Sequence, residues 1–236
     1  MRLKVDLLPR GSYPDVVILV DVLRGTTNAP ILLEAGAQHL YLSPSLKIAR
    51  QFASENQLLM VGERDGMPME GCNHPASPAE LRNLKLQQDV MYLAQYTPQA
   101  VRQVQGAKHV LLGSFYNARA VIQKALQLAT EEIAIVCTGQ DGNETLEDTV
   151  CAGFLARRIE KHLEVQLLDA ARMAMALVRA FPDVQEALVQ SSTGQQLQKL
   201  RLYEDIAISS LISQTDEVPM LQEVILKEDT PIYRFE

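Results

Sequence analysis

The sequence is poor in cysteine, in long apolar runs and in positive charge. Its three cysteines are an odd number without a Cys-x-x-Cys pair, at positions 72, 137 and 151. They cannot complete a disulfide framework, which favours a reducing compartment. The longest uncharged stretches, such as residues 16–20, are far shorter than the ~20 residues that span a bilayer. With 22 Lys and Arg against 29 Asp and Glu, no basic run exists that would neutralise a nucleic-acid backbone.

The N-terminal residues 1–6 also lack the charged leader and apolar stretch of a secretion signal. We therefore expect a soluble, cytoplasmic protein that has neither a membrane nor a nucleic-acid partner. The chain has 236 residues, of which 47% are hydrophobic, so it can bury a core as one large domain or as two small, intimately packed ones. A negative protein can still bind a small anion through local cations, backbone amides or a divalent metal.

Short aliphatic runs alternate with longer segments of helical period, which is typical of parallel α/β architecture. Residues 16–20 (VVILV) show no polar alternation, as expected for a central strand that is covered by helices on both faces. Further strands are predicted at 3–7, 39–42, 58–61, 90–93, 110–112, 133–137, 165–168 and 206–208, and helices at 45–55, 98–104, 117–130, 146–162 and 170–181. The sequence thus predicts a three-layer α/β/α fold with a mostly parallel sheet, or two smaller sheets.

Charged and hydroxyl side chains follow the strand at 16–20. Asp21 stands at its carboxyl end, where open α/β sheets bind their ligands. Arg24 could pair with an oxyanion, and residues 25–27 (GTT) could offer amides and hydroxyls at a helix N-terminus. The alternative is structural: Asp21 and Thr26 cap a helix while Arg24 pairs with a surface acid.

A second acid and arginine, Glu63 and Arg64, follow the strand that is predicted to end at residue 61. A charged turn is usually only solvated, but the irregular stretch 62–78 that follows is long for a simple connection. Within it, Cys72 and His74 are two residues apart. A third soft ligand for zinc is missing nearby.

A third strand, loop and helix sequence occupies residues 133–153. Carboxylates occur at Asp141, Glu144, Glu147 and Asp148. Acids in a first helical turn interact favourably with the helix dipole, yet these are more than one helix start needs, and they suit oxygen ligation of magnesium.

Several phosphate-handling signatures are absent or misplaced. No Gly-x-x-x-x-Gly-Lys-Ser/Thr loop occurs, and Leu23 stands where aspartyl-phosphate phosphatases place a second acid after Asp21. Cys151 and Arg157 have the spacing of thiol phosphatases, but the residues between them are apolar and are predicted to be helix interior. Their amides would be used by the helix and would not bind phosphate.

Five segments follow one another along the chain: residues 21–27 (DVLRGTT), 62–64 (GER), 73–78 (NHPASP), 113–118 (GSFYNA) and 146–153 (LEDTVCAG). Taken together and in this order, they resemble the 2-phosphosulfolactate phosphatase family, the ComB-like proteins, over residues 16–205. It implies a magnesium-dependent phosphatase that converts 2-phosphosulfolactate to sulfolactate and phosphate, a step toward coenzyme M. It also implies a single α/β unit over 1–236 with two related halves, about 1–130 and 131–236.

The resemblance also implies roles for individual residues. The catalytic group is Asp21, Arg24 and Glu147. The phosphate-binding group is Arg24, Gly25, Thr26, Thr27, Arg64 and Gly139. The Mg²⁺ ligands are Asp21, Glu63, Glu147 and Asp148. The partner is a small phosphorylated acid, and a homo-oligomer is compatible with base rates; the methionine-bearing helix at 170–181 is either an interface or part of the core.

The sequence departs from the family pattern at residues 94–99 (AQYTPQ), where a Thr-Thr-Asn-Gly-Thr loop is usual. Residues 71–75 (GCNHP) also replace a usual Gly-Phe-Asp-Leu-Gly-Asn stretch. These departures leave two alternatives open: a phosphatase of another small phosphoester, or a protein that binds an anion and a metal without turnover.

Overall fold

The computed structural model describes residues 1–236, which form twelve strands and ten helices. The strands are β1 (Arg2–Asp6), β2 (Val16–Val20), β3 (Leu40–Leu42), β4 (Leu59–Arg64), β5 (Met67–Pro68), β6 (His74–Pro75), β7 (Val90–Leu93), β8 (His109–Gly113), β9 (Glu132–Cys137), β10 (Gln166–Leu167), β11 (Leu221–Lys227) and β12 (Thr230–Phe235). The helices are α1 (Gly25–Glu34), α2 (Leu46–Glu55), α3 (Pro78–Leu81), α4 (Thr97–Val104), α5 (Ala118–Leu128), α6 (Leu146–His162), α7 (Asp169–Leu177), α8 (Val184–Gln190), α9 (Ser192–Lys199) and α10 (Tyr203–Ser209).

The strands form two sheets. The first is wholly parallel and has the order β10-β1-β9-β2-β8. The second has the order β11-β12-β3-β7-β4-β5, with β6 also beside β4, and mixes parallel with antiparallel pairs. Both sheets take strands from either side of residue 130, and the division into two related halves stays a prediction.

The apolar run in β2 explains how the layers pack. Val16, Ile18 and Val20 face one hydrophobic core, beneath α5 and α6. Val17 and Leu19 face a second core, which the first sheet shares with α1, α4 and the second sheet. A small third core lies between α2 and the far side of the second sheet. Helices therefore cover both faces of each sheet, and the predicted α/β/α architecture is confirmed.

Register brings three loops together at one edge of the first sheet. Val20 pairs with Gly113 of β8 and with Cys137 of β9. Asp21, Ser114 and Thr138 therefore begin neighbouring loops at the carboxyl ends of parallel strands. The two strand, loop and helix segments that contain Asp21 and Glu147 thus lie side by side.

Three element predictions need correction. Residues 206–208 are not a strand but lie in α10, because a three-residue apolar run does not distinguish a strand from a helix that buries Ile206 and Ile208. The helix predicted over 170–181 ends at Leu177. Strand β4 continues through Arg64, so Glu63 and Arg64 are strand residues rather than a turn.

The three cysteines are free, and Cys137 and Cys151 are buried. Cys151 lies inside α6, as predicted, and burial raises the pKa of its thiol. None of the helices combines the length and the apolar character that a membrane crossing requires.

Candidate functional site

A narrow cleft opens where the ends of β2, β4 and β7 meet α9. It encloses about 30 Å³, roughly the space of one or two water molecules. Its polar lining consists of Asp21, Arg24, Glu63, Asp65, Tyr92, Gln95, Tyr96, Gln140, Thr193 and Gln196. Arg24 is its one cationic side chain, and three of the others are acids.

Arg24 is held between two carboxylates. Its side chain is 3% exposed; Nη2 lies 2.5 Å from Glu63 Oε2, and Nη1 pairs with Asp205. Asp205 is itself fixed by the Ser77 hydroxyl, which donates to its Oδ1 at 2.5 Å. Burial alone would lower the pKa of Arg24, but the charges of Glu63 and Asp205 outweigh it and raise that pKa. The guanidinium is therefore a permanent, rigidly positioned positive charge.

Asp21 lies on the wall of the cleft, beside Arg24. Its Oδ2 accepts a hydrogen bond from the Thr97 hydroxyl at 2.6 Å. Burial raises the pKa of Asp21 to about 6, the hydrogen bond from Thr97 opposes that rise, and the nearby charges of Glu63 and Glu147 add to it. A carboxyl with such a pKa exchanges protons close to neutral pH.

Glu147 and Asp148 are buried in the first turn of α6, next to Asp21. Asp148 Oδ1 accepts from the Val22 amide at 2.8 Å, which ties the first loop to α6. Burial raises the pKa of Glu147 and raises that of Asp148 well above its usual range, and the charges of Glu147 and Asp21 add to the effect on Asp148. Glu147 Oε2 has no hydrogen-bond partner in the protein. Burial thus disfavours the charged forms of both acids, and the repulsion between neighbouring carboxylates adds to the effect on Asp148.

Thr26 and Thr27 are wholly buried at the start of α1. The Thr26 hydroxyl accepts from the Asp21 amide and donates to the Gly113 carbonyl, and the Thr27 hydroxyl donates to the Val22 carbonyl. Both hydroxyls are therefore engaged inside the fold. They hold the loop that carries Asp21 and do not line the cleft.

Gly25 is required by close packing. A Cβ at this position would lie 2.1 Å from Thr97 Oγ1 and 2.2 Å from Asp21 Oδ2. No real side chain fits at such distances, so the glycine lets Asp21 and Thr97 meet beside the first turn of α1.

Arg64 and Gly139 are not brought to the cleft. Arg64 lines an adjoining cavity of about 130 Å³, which shares Glu63 and Gln95 with the cleft but does not include Arg24. Gly139 has a φ of +66°, and a Cβ there would lie 2.2 Å from Leu8 Cδ2. Its position has a structural explanation, a tight turn after β9.

Comparison with known proteins identifies the family of the chain. A sequence model of the family described as 2-phosphosulpholactate phosphatase matches residues 3–224. The chain belongs to the 2-phosphosulfolactate phosphatase family. The predicted family is thereby confirmed, and so is the class of enzyme, a phosphoric monoester hydrolase.

Relatives of similar length support the assignment to the 2-phosphosulfolactate phosphatase family. A protein of Thermus thermophilus named probable 2-phosphosulfolactate phosphatase is 39% identical over 94% of this chain and 95% of its own. One of the same name from Deinococcus radiodurans is 39% identical over 94% and 93%. A third, from Carboxydothermus hydrogenoformans, is 29% identical over 92% of each chain.

Two residues that contact side chains of the cleft were not predicted from the sequence. Asp205 is 181 residues from Arg24 in the chain, and it directly precedes the apolar residues that suggested a strand. Thr97 lies in the stretch 94–99, where the usual hydroxyl-rich loop is missing, yet its hydroxyl contacts Asp21. A polar side chain beside a predicted element carries no local signal of a long-range partner.

The carboxylate oxygens near the cleft are of the kind that a hard cation prefers. The four acids that were predicted as Mg²⁺ ligands do not, however, form a complete coordination shell. No group of three or more His, Cys, Asp or Glu side chains is arranged to hold a metal ion, since Glu63 pairs with Arg24 and Asp148 accepts from Val22. Mg²⁺ commonly uses only one or two carboxylates, together with water and substrate phosphate. Asp21 and the unpartnered Glu147 Oε2 provide such oxygens.

Proposed function

We propose that this protein is a Mg²⁺-dependent phosphatase that hydrolyses a small acidic 2-phosphohydroxy acid, with 2-phosphosulfolactate as the leading substrate. The products are then sulfolactate and inorganic phosphate, in a cytoplasmic reaction of the kind that leads to coenzyme M. The proposal draws on family membership and on the names of the relatives for the substrate. It draws on the charges of the cleft for the metal and for the residue roles.

The observation that carries the proposal is the buried Arg24 beside Asp21. A guanidinium pairs well with phosphate oxygens because its donors are fixed in a plane. Of its two partners, Glu63 is 13% exposed and Asp205 is 1% exposed. An incoming phosphate would therefore displace Glu63, while Asp205 would keep the guanidinium in place.

The charge balance of the cleft supports a metal requirement. Asp21, Glu63 and Asp65 line it, Glu147 and Asp148 lie behind Asp21, and Arg24 is already paired twice. A multiply charged anion would meet mainly negative charge there. Mg²⁺, held by Asp21 and Glu147, would supply the positive charge that the phosphate oxygens need.

The chain's own groups then account for binding and proton transfer. Arg24 binds the equatorial phosphate oxygens, on which charge grows as the ester bond to phosphorus breaks. A carboxylate of the Asp21 and Glu147 pair accepts the proton of the attacking water as the new bond from this water to phosphorus forms. The bond between phosphorus and the ester oxygen breaks, and the departing alkoxide takes up a proton from solvent water to give the hydroxy acid. Thr97 and Thr26 orient Asp21 for this step.

The proposal is tested by measuring phosphate release from 2-phosphosulfolactate, phospholactate, phosphoglycolate and phosphoglycerate, with Mg²⁺ and with a chelator. We expect chelator-sensitive turnover that falls by about 10²- to 10⁴-fold in Asp21→Asn, as is usual when an acid-base group is lost. Asp229→Asn is the matched control, because Asp229 is an exposed acid in the turn between β11 and β12. It should retain full activity.

Two outcomes would overturn the proposal in different ways. Turnover of another ester in preference to 2-phosphosulfolactate would keep the phosphatase but change its substrate. Binding of these compounds in the presence of Mg²⁺ without any turnover would establish the non-catalytic alternative. The loss of chemistry would then trace to the altered residues 94–99, since Gln95 and Tyr96 line the cleft.

The role of Glu63 can be separated from that of the metal ligands. If Glu63 competes with phosphate for Arg24, Glu63→Gln will bind inorganic phosphate more tightly and leave the Mg²⁺ concentration for half-maximal activity unchanged. If Glu63 instead holds the metal, the same variant will need more Mg²⁺. Calorimetric titration with phosphate and a Mg²⁺ dependence of activity distinguish the two roles.

A further inference from the structure

The largest cavity of the molecule lies away from the cleft. It is a groove of about 1040 Å³ between α5, the C-terminal half of α6 and the segments at 178–184 and 210–213. Its floor is apolar and includes Ile122, Phe154 and Val184, and its rim carries Arg157, Arg158 and Lys161. We call it the basic groove.

Most of the positive charge of the basic groove is unpaired; Arg119, which also lines it, pairs with Asp216 at 2.9 Å. None of Arg157, Arg158 and Lys161 forms an ion pair in the structure, although the chain has seven more negative than positive charges. The one acid that lines the groove, Asp183, caps α8 by accepting from the Gln185 amide at 2.9 Å. The three rim cations are therefore unpaired, although Glu160 lies beside Arg157 and Lys161 on α6.

The apolar floor and the cations of the basic groove are in direct contact. The guanidinium of Arg158 lies over the Phe154 ring, 3.4 Å from its centroid. Burial lowers the pKa of Arg158, and the charge of Arg157 adds to that effect. Favourable interaction with a helix dipole explains cations in the last turn, such as Lys161. It does not explain Arg157 and Arg158, which lie further from the end of α6.

We propose that the basic groove binds a small amphipathic anion, in which an aryl or acyl body rests on the apolar floor and a sulfonate, carboxylate or phosphate group meets Arg157 and Lys161. The volume is at the upper end of the range for small-molecule sites. This site is distinct from the catalytic one. Glu147 and Arg158 are separated by about 16 Å along α6 at the usual rise per residue.

The test compares two fluorescence titrations of the intact protein, one with 8-anilinonaphthalene-1-sulfonate and one with its uncharged analogue (the neutral twin), N-phenyl-1-naphthylamine. The chain contains no tryptophan, which leaves the probe signal clear. We expect saturable binding of the sulfonate, at least about tenfold tighter than that of the neutral twin, which corresponds to ~1.4 kcal/mol. Excess inorganic phosphate should not displace the probe, since phosphate alone lacks the apolar body.

The paired variant Arg157→Gln with Lys161→Gln should weaken sulfonate binding by about tenfold and leave the neutral twin unaffected. The matched control is Arg102→Gln with Lys85→Gln, which removes the same charge from exposed, distant positions; its binding should equal that of the wild type. Equal binding of the two probes, or an equal loss in the control, would overturn the proposal. Loss of binding in Asp21→Asn would place the probe in the catalytic cleft instead.

Discussion

Individual buried acids in this protein fall into two kinds. Asp15 joins the starts of β2 and β9: its Oδ2 accepts from the amides of Thr130, Glu131 and Glu132 at 2.6, 2.6 and 3.1 Å. Burial alone would raise the pKa of Asp15, but these hydrogen bonds outweigh it and lower that pKa. For Asp21, burial dominates; the charges of Glu63 and Glu147 add to its effect, and fewer hydrogen-bond donors oppose it, so the pKa of Asp21 rises instead. The first arrangement stabilises the charged carboxylate, and the second favours a carboxyl that can exchange its proton near neutral pH.

The charge of Asp15 should therefore stabilise the fold in a pH-dependent way. Because the pKa is lower in the folded state, this stabilisation is present above the ordinary aspartate pKa of about 3.9 and is lost as the pH falls through the folded value. Asp15→Asn should cost about 1 to 3 kcal/mol at pH 7 and progressively less in acid. Chemical unfolding at several pH values measures the difference. A cost that stays constant with pH would show that the charge contributes nothing.

Gly25 provides a second prediction for a single residue. Its substitution by alanine would push Thr97 away from Asp21, because the new Cβ lies within 2.2 Å of both side chains. We expect Gly25→Ala to destabilise the fold by about 1 to 3 kcal/mol and to reduce phosphate release by at least about tenfold. Gly106→Ala is the control, since Gly106 is exposed and a methyl group there would meet nothing within 4 Å. An active, stable Gly25→Ala protein would contradict the close packing.

Sequence patterns predicted the helices and strands that have a strong local signature. β2 and α6 have the predicted bounds, because a continuous apolar run and a long amphipathic period are both local properties. The hairpin of β11 and β12 was missed. Its turn residues, Glu228 and Asp229, both have positive φ, but they are not the Asn-Gly or Asp-Gly pair that signals such a turn.

The same distinction applies to the candidate site. Asp21 and Arg24 could be predicted because they directly follow an evident central strand. Asp205 could not, because its contact with Arg24 depends on how α10 packs against the rest of the fold. The roles of Thr26 and Thr27 were equally hidden, since only the structure shows that both hydroxyls bond to backbone groups.

The contact between α6 and α7 leads to a prediction for an element pair. Gly153 faces α7 so closely that a Cβ would lie 2.1 Å from the Ala174 carbonyl oxygen. Helix propensity alone predicts that Gly153→Ala stabilises the protein by up to about 1 kcal/mol. Packing predicts the opposite, a loss of about 1 to 3 kcal/mol, and we expect packing to dominate. Glu160→Ala, on the exposed side of the same helix, should change the thermal unfolding temperature little.

Acidic and basic side chains are distributed unevenly over the whole molecule. Acidic side chains line the cleft and lie behind it at one end of α6, whereas basic side chains line the groove at the other end. The charges of neighbouring carboxylates add to the effect of burial in raising the pKa of Asp21 and of Asp148. Such a cluster costs folding free energy unless a cation compensates it.

Mg²⁺ should therefore stabilise the entire fold by binding its native state. A concentration 100-fold above the dissociation constant adds about 2.7 kcal/mol, which corresponds to a rise of roughly 5 to 10 °C in the unfolding temperature for a chain of this size. We expect this rise in calorimetry with MgCl₂ and not with NaCl of equal ionic strength. The double variant Asp21→Asn with Glu147→Gln should lose it, while Glu164→Gln, which removes an exposed acid on the loop after α6, should keep it. An equal rise in all three proteins would mean that Mg²⁺ only screens the surface, and the metal would then have no specific place among these acids.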